Sequence, residues 1–338
     1  MKYWNIYEIL PYQRNFNFIN GPRSIGKTYT CQKYVLDRCI SNGWEFVYIT
    51  RTKNNKVSGM FPSAFEKVIS QEFPEIEFKF TADSLEIVLD DDTHVNLGWC
   101  IALTEYQKIK PRSFPNVRFI IFDEYMVEEG GFNRYINGAK EPDLFLSIYH
   151  TIDRERDIVK CFLLGNNTSF YNPYHMHKAF KIPYIEDGKI WYNKFVLYQR
   201  AMPSKELKEA KEKTSFWQMT NDSDYGTFAN SGNFVDDKYN FIQELSSNTR
   251  YIMTLLYSNY VIGVYLDNKT NKIICSQKID PYCRCIYALT LDSYNENALL
   301  NHNVGLLKWL SDNFKRGRVF FDSMETKQIA QEVIYKLL

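Results

Sequence analysis

A chain of 338 residues is long enough for two domains with their own cores, and 45% hydrophobic with 16% aromatic content excludes a disordered polymer. The 41 basic and 40 acidic residues leave a net charge of +1, which excludes a uniformly basic nucleic-acid binder and leaves any such affinity to local patches. Seven scattered cysteines point to reduced thiols rather than a disulfide framework.

The opening MKYWNIYEIL lacks the apolar core and cleavage site of a signal peptide, and no run reaches transmembrane length, so a soluble intracellular protein is expected. The first element is a short strand, FNFIN, running into a glycine turn and a helix expected from Tyr29 to Ile40. The turn spells GPRSIGKT: Gly21, Pro22, Arg23, Ser24, Ile25, Gly26, Lys27 and Thr28, with Tyr29 following. This fills every position of the phosphate-binding pattern GxxxxGK[ST]. Glycines let successive N–H groups turn inward, and the helix start adds positive potential. Lys27 is expected to reach the β- and γ-phosphates of ATP and Thr28 to hold Mg²⁺. Arg23 can contact the γ-phosphate of its own site, turn toward a neighbour, or simply face solvent.

WEFVYITR follows as a buried strand, RTKNNK as a polar basic segment, and EFKF, LEIVL and HVNLGWCIAL as three further strands. Arg51, at a strand end, is a candidate to serve the nucleotide site. VRFIIFDEY, Val117 to Tyr125, is an apolar strand ending in two carboxylates. Asp123 suits Mg²⁺ held through water, and Glu124 suits the base that orients or deprotonates an attacking water. An amphipathic helix through Leu144, Ile148 and Ile152 leads to TIDRERD and the strand VKCFLLGN. Arg154 and Arg156 are the candidates for an arginine finger supplied to a neighbouring subunit, against the alternative of a salt-bridged helix end. Asn166 or Asn167, closing the next strand, suits a residue between water and γ-phosphate, although paired asparagines are also turn formers. His175 and His177 read as a polar loop rather than a metal site, and Cys283 with Cys285 as buried strand cysteines.

Strands alternating with helices predict a parallel α/β sheet for the first part. A hairpin is expected around Asp187-Gly188, then a short charged helix with a solvated face at SKELKEAKEK, then a polar linker. From Arg250 the pattern becomes a three-strand antiparallel meander, a fourth strand at CRCIYALTL, a helix, the strand VFFD and a final helix.

GPRSIGKT, FIIFDEY, RERD leading into CFLLGNN and NPY, and finally YGTFANSGNF, together resemble the DNA packaging ATPases of small tailed bacteriophages, the Salasmaviridae type. The resemblance implies a terminase-like motor: a ring of five subunits at the portal vertex, driving double-stranded DNA into a capsid with ATP and Mg²⁺. The partners it implies are DNA, the portal connector and a packaging RNA, in the host cytoplasm. It further implies a P-loop ATPase domain over residues 1–200 with an additional strand between the two nucleotide motifs, supplied by the runs between Trp44 and Leu103. A linker over 201–240 and an RNase H-like domain over 241–338 complete the chain. The opening strand of that domain, RYIMTLLYSN, carries no Asp or Glu, and Asp267, Asp292 and Asp322 sit at strand ends, so a nuclease relic that binds DNA or the packaging apparatus is expected. Phosphate contacts without base readout suit a motor. Lys53, Lys56, Arg134, Lys140, Lys315, Arg316 and Arg318 are the basic candidates, each also readable as solubility charge. A helicase-like P-loop motor, and a nucleotide-dependent scaffold that does not translocate, are the competing functions.

Overall fold

The computed structural model describes residues 3–57, 59–81, 83–127, 135–136, 140–168, 170, 172–220, 241–296, 298–300 and 305–335. The chain divides into two units, 1–236 and 237–338.

The first unit is built on a nine-stranded sheet: β1 (Phe16–Asn20), β2 (Glu45–Thr50), β3 (Glu77–Phe80), β4 (Ser84–Val88), β5 (His94–Ala102), β6 (Val117–Asp123), β7 (Lys160–Gly165), β8 (Ile190–Tyr192) and β9 (Val196–Arg200). Their order is β3-β4-β5-β2-β6-β7-β1-β9-β8. The central strands from β5 to β9 are parallel, and β4 with β3 at one edge and β8 at the other are antiparallel. Strand β1, FNFIN, is buried from Asn17 to Asn20, covered on both faces as a central parallel strand must be. Alternate residues feed two cores. Ile19, Phe46, Phe119 and Leu164 pack with Cys31, Val35 and Leu36 of α1 (Lys27–Asn42) and Phe61, Phe65 and Val68 of α3 (Met60–Glu72). Phe18, Ile120, Phe122 and Leu163 pack with Ile109 of α4 (Tyr106–Ile109) and with Phe145, Ile148 and Ile152 of α5 (Glu141–Asp153). Burying each such side chain contributes roughly 1.5–3 kcal/mol, so both faces are strongly specified.

An additional strand does separate the two motif strands, and it is β7, lying between β1 and β6. The runs between Trp44 and Leu103 instead extend the sheet beyond β6, because β2 takes the outer edge of β6 and carries β5, β4 and β3 with it. Two local expectations also change. RTKNNK forms helix α2 (Lys53–Val57), where Thr52 acts as an N-cap by accepting from the Asn55 N–H at 3.3 Å. The hairpin turns at Asn193, whose Oδ1 accepts from the N–H groups of Phe195 and Val196, both at 2.8 Å, rather than at Asp187-Gly188. Gly188, at φ +74°, donates its N–H to Arg200 O at 2.8 Å, so the pair closes the chain against β9 one turn earlier.

The second unit holds a six-stranded sheet of β10 (Thr249–Tyr257), β11 (Tyr260–Asp267), β12 (Ile273–Ser276), β13 (Ile286–Ala288), β14 (Leu299–Leu300) and β15 (Val319–Phe321). Strands β10, β11 and β12 form the antiparallel meander, and β13 pairs parallel with β10. The order β14-β13-β10-β11-β12-β15 fits the expected RNase H-like outline, with β14 as an unanticipated strand and β15 added beside β12. Cys283 and Cys285 lie half-buried in the loop before β13 rather than buried in it, since β13 begins only at Ile286. No helix among the described residues is long and apolar enough to cross a membrane.

Candidate active site

The phosphate-binding loop leaves the end of β1 and enters α1 at Lys27, with Gly26 at φ +92° as the left-handed residue that permits the entry. Gly21 is required for space: a Cβ there would stand 2.5 Å from Ala201 O. The Gly21 N–H donates to Gly165 O at 3.2 Å, tying the loop to the end of β7. Lys27, only 7% exposed, donates from Nζ to the carbonyls of Gly21 (2.8 Å) and Pro22 (2.9 Å). Burial, with Lys211 and Arg23 nearby, pushes its pKa down to about 7 against the opposing pull of Asp123. A phosphate group would supply the negative charge that this ammonium lacks.

At the end of β6 the Thr28 hydroxyl hydrogen-bonds the Asp123 carboxylate. Burial carries Asp123 up to about 6, partly offset by that bond. One hydroxyl and one carboxylate at a phosphate site form the sparse oxygen set that suits Mg²⁺ completed by phosphate and water. Thr28 and Asp123 therefore fit the metal.

Glu124 holds φ +54°, a left-handed conformation uncommon for a non-glycine residue. Its N–H donates to Asp123 Oδ1 at 3.0 Å. Its carbonyl accepts from Arg51 Nη1 at 3.2 Å, and the next carbonyl, of Tyr125, accepts from Arg51 Nη2 at 2.8 Å. Arg51 is itself clamped by Glu141, with Nε 3.2 Å and 3.1 Å from the two carboxylate oxygens. Glu141 also accepts from Tyr174 Oη at 3.0 Å and the Ile136 N–H at 2.6 Å. This buried pair holds the backbone on which Glu124 sits, so Arg51 serves the site as a brace.

A second buried network lies beneath. Tyr125 Oη is 2.6 Å from Asn20 Oδ1, at the end of β1, and 2.7 Å from His175 Nε2. His175, on α6 (Pro173–Met176), is therefore a core residue rather than part of a polar loop, because Asn172 caps that short helix and turns the ring inward. Burial pushes its pKa down to about 3. His177 pairs at the surface with Asp143 at 3.1 Å.

The resulting cleft, of about 360 Å³, is lined by the loop from Arg23 to Tyr29 together with Asp123, Glu124, Gly165 and Asn166. Arg23, Ser24, Ile25, Gly26, Lys27, Thr28 and Tyr29 thus meet Asp123, Glu124 and Asn166 in one place. Asn167 is buried beside it. Tyr29 is tethered to α3 by its hydroxyl, which donates to Glu72 Oε1 at 2.6 Å.

Arg154 and Arg156 do not line the cleft. They follow α5 in a turn where Arg154, Glu155 and Asp157 all have positive φ. The Asp153 carboxylate pins that turn by accepting the N–H groups of Asp157, Ile158 and Val159 at 2.9–3.1 Å. Arg156 donates to the carbonyls of Asp153, Pro115, Phe114 and Ile152. Arg154 is exposed, and its guanidinium donates from Nη2 to Arg112 O at 2.8 Å. Of the basic candidates, Lys53 is exposed at the start of α2, Lys140 is half-buried at the N-cap of α5, and Arg316 and Arg318 are exposed in the second unit. Arg134 and the side chains of Lys56 and Lys315 lie outside the described residues. Sequence reasoning missed Glu141, Asn20 and Lys211, whose partners are remote in the chain. The sequence offered only strand-end Arg51 as a candidate to serve the nucleotide site, with no sign of its partner Glu141.

A DNA packaging protein of Bacillus phage B103 is 30% identical over 335 residues, covering 97% of this chain and 99% of that protein. The bacteriophage phi29 viral genome packaging motor assembly contains a chain of similar fold, with 27% identity, a TM-score of 0.73 and full coverage of both chains. The N-terminal domain of the DNA packaging ATPase from bacteriophage phi29 is 30% identical, with a TM-score of 0.50, 60% coverage of this chain and 96% of that one. The family described as podovirus DNA encapsidation protein (Gp16) matches residues 1–338, and the chain belongs to it.

Proposed function

We propose that this chain is the ATP-hydrolysing subunit of a motor that drives double-stranded DNA into a preformed phage capsid. The carrying observation is the convergence of Lys27, Thr28, Asp123, Glu124 and Asn166 on one cleft. Membership of a DNA encapsidation family supplies the direction of the work.

In this reading the loop N–H groups and Lys27 bind the β- and γ-phosphates, and Thr28 and Asp123 hold Mg²⁺, which neutralises phosphate charge. Glu124 orients an attacking water and takes its proton, and Asn166 at the end of β7 lies where a side chain can contact both water and γ-phosphate. The chemistry needs Glu124 held to within a fraction of an ångström, which the Arg51–Glu141 brace favours. Arg23 lines the same cleft and adds positive charge as the terminal phosphate leaves.

Arg154 is the finger offered to a neighbouring subunit. Arg156 has its guanidinium committed to four carbonyls of its own chain, whereas Arg154 projects from a pinned, left-handed turn of the kind that accumulates at functional sites. The assembly is a ring of five at the portal connector, docked with a packaging RNA, and residues 201–240 link the ATPase domain to a DNA- or apparatus-binding second domain. Lys53, Lys56, Arg134, Lys140, Lys315, Arg316 and Arg318 are the phosphate-contact candidates on DNA.

The test is the steady-state ATPase rate with and without duplex DNA, alone and on assembled portal. Duplex stimulation on the portal, absent in Lys27→Ala, supports the motor. Hydrolysis indifferent to DNA in both settings favours a scaffold, and preference for single strands favours a helicase-like motor.

A further inference from the structure

The charged helix α7 (Lys205–Glu212) is not simply a solvated face. Ser204 caps it by accepting the Leu207 N–H at 3.2 Å, and Leu207 is buried in the first core. Lys211, one turn further along the same face, donates from Nζ to the carbonyl of Arg23 at 2.5 Å. Three successive carbonyls of the phosphate-binding loop are thereby held by two ammonium groups: Gly21 and Pro22 by Lys27, Arg23 by Lys211. The chain enters this region already laced to the loop, since the Ala201 N–H donates to Asn20 O at 2.7 Å and Ala201 O leaves room only for glycine at position 21.

Two physical consequences follow. The Arg23 carbonyl belongs to the same peptide group as the Ser24 N–H, and a cation on a carbonyl polarises its peptide and strengthens that N–H as a donor. The half-buried Lys211 ammonium also adds positive charge beside Arg23 and Lys27, and is in no salt bridge among the described residues. That excess is relieved when an anionic phosphate group enters the cleft.

We propose that Lys211 is a positioning residue of the nucleotide site, fastening α7 to the phosphate-binding loop so that phosphate binding and the seating of α7 stabilise each other. The proposal rests on the nucleotide reading of the cleft. Reciprocity follows from linkage: whatever α7 adds to phosphate affinity, bound phosphate adds to the anchoring of α7. Helix α8 (Ser215–Thr220), which packs on α7 in the same unit, thereby reports the state of the loop.

The test uses the full chain with ATPγS as probe, binding followed by calorimetry. Chymotryptic cutting at Phe216 and Trp217 in the next helix, α8 (Ser215–Thr220), reads the anchoring, since Phe216 is half exposed. Saturating ATPγS should slow the cut several-fold in the wild type. Lys211→Met should bind ATPγS about tenfold more weakly, as loss of a charged hydrogen bond implies, and its cutting rate should not respond to saturating probe. Lys211→Arg, which keeps the donor and the charge, should restore both. Equal slowing in Lys211→Met and wild type, or no slowing in wild type that binds ATPγS, overturns the proposal. A wild type that does not bind ATPγS overturns the nucleotide reading itself.

Discussion

Both units end strands in aspartate, and they use it in opposite ways. In the first, Asp123 at the end of β6 is half-buried at the cleft, bonded to the Thr28 hydroxyl, adjacent to Glu124 and raised to about 6. In the second, Asp267 at the end of β11 accepts the N–H groups of Lys269 and Thr270 at 2.9 and 3.0 Å, which lower its pKa and close the turn into β12. Asp322, after β15, accepts from the Ser276 hydroxyl at 2.5 Å. Residue type and strand position are the same, and Asp267 is the less exposed of the two, so the difference lies in their partners. A carboxylate turned to backbone N–H groups is committed to structure. One set in a cleft beside a hydroxyl and a cation retains chemistry to offer.

The largest expected effect separates the units directly. Glu124→Gln should lower the ATPase rate roughly 10²–10⁴-fold while ATP binding persists, as removal of a general base does. Asp267→Asn and Asp322→Asn should leave the DNA-independent rate unchanged. A loss of that rate in either aspartate variant would break the distinction.

Next in size is the brace. Glu141→Ala leaves the Arg51 cation buried without its partner, and should cost about 3–5 kcal/mol in denaturant unfolding of the first unit. Arg51→Met combined with Glu141→Met should recover much of that loss, because both desolvated charges disappear together. If the double variant regains stability but not hydrolysis, the brace acts on Glu124 and not merely on the fold.

The two arginines of the pinned turn sharpen the comparison at a third level. Arg154→Ala mixed substoichiometrically with wild type should depress the rate of assembled motor beyond its mole fraction, with unfolding midpoint unchanged. Arg156→Ala should instead lower stability by about 1 kcal/mol or more, from the loss of its part-buried hydrogen bonds to carbonyls. Reversed behaviour would exchange their roles.

The smallest effect is a pH signature of the buried His175. Its folded pKa, pushed down to about 3, lies below the ordinary value of 6.5. Between those values the unfolded chain takes up a proton that the folded chain refuses. The stability contribution is thus present above pH 6.5 and falls as pH drops, by about 1.4 kcal/mol per unit while the gap lasts. His175→Gln should lack this share, so the difference in urea midpoints between wild type and variant should narrow from pH 7 to pH 5. A constant difference would mean that the imidazole is not held neutral.

Gly21, Gly26, Lys27 and Thr28 were legible because their chemistry is local: a turn, a helix start and a reach of a few ångströms are all encoded within one short stretch. Asp123 and Glu124 were legible because an apolar strand announces itself and its polar end stands out. The α2 helix escaped notice because its cap, Thr52, acts over three residues inside a segment dominated by charge. The hairpin turns later than expected because the Asn193 side chain closes the turn between β8 and β9, beyond Asp187-Gly188. The brace could not be read, since Arg51 and Glu141 are 90 residues apart, nor could the 188-residue contact of Lys211 with Arg23.

By itself, then, the sequence determined that this protein has a phosphate-binding loop, an acidic strand end to complete it and a second, differently patterned sheet, because backbone conformation and hydrophobic periodicity act between near neighbours. Only the tertiary structure decided that β7 lies between the motif strands, that Arg51 and Glu141 hold Glu124 in place, and that α7 reaches back to the loop. Those outcomes depend on which remote groups share a dry, low-dielectric space, where partners are chosen by burial and charge rather than by distance along the chain.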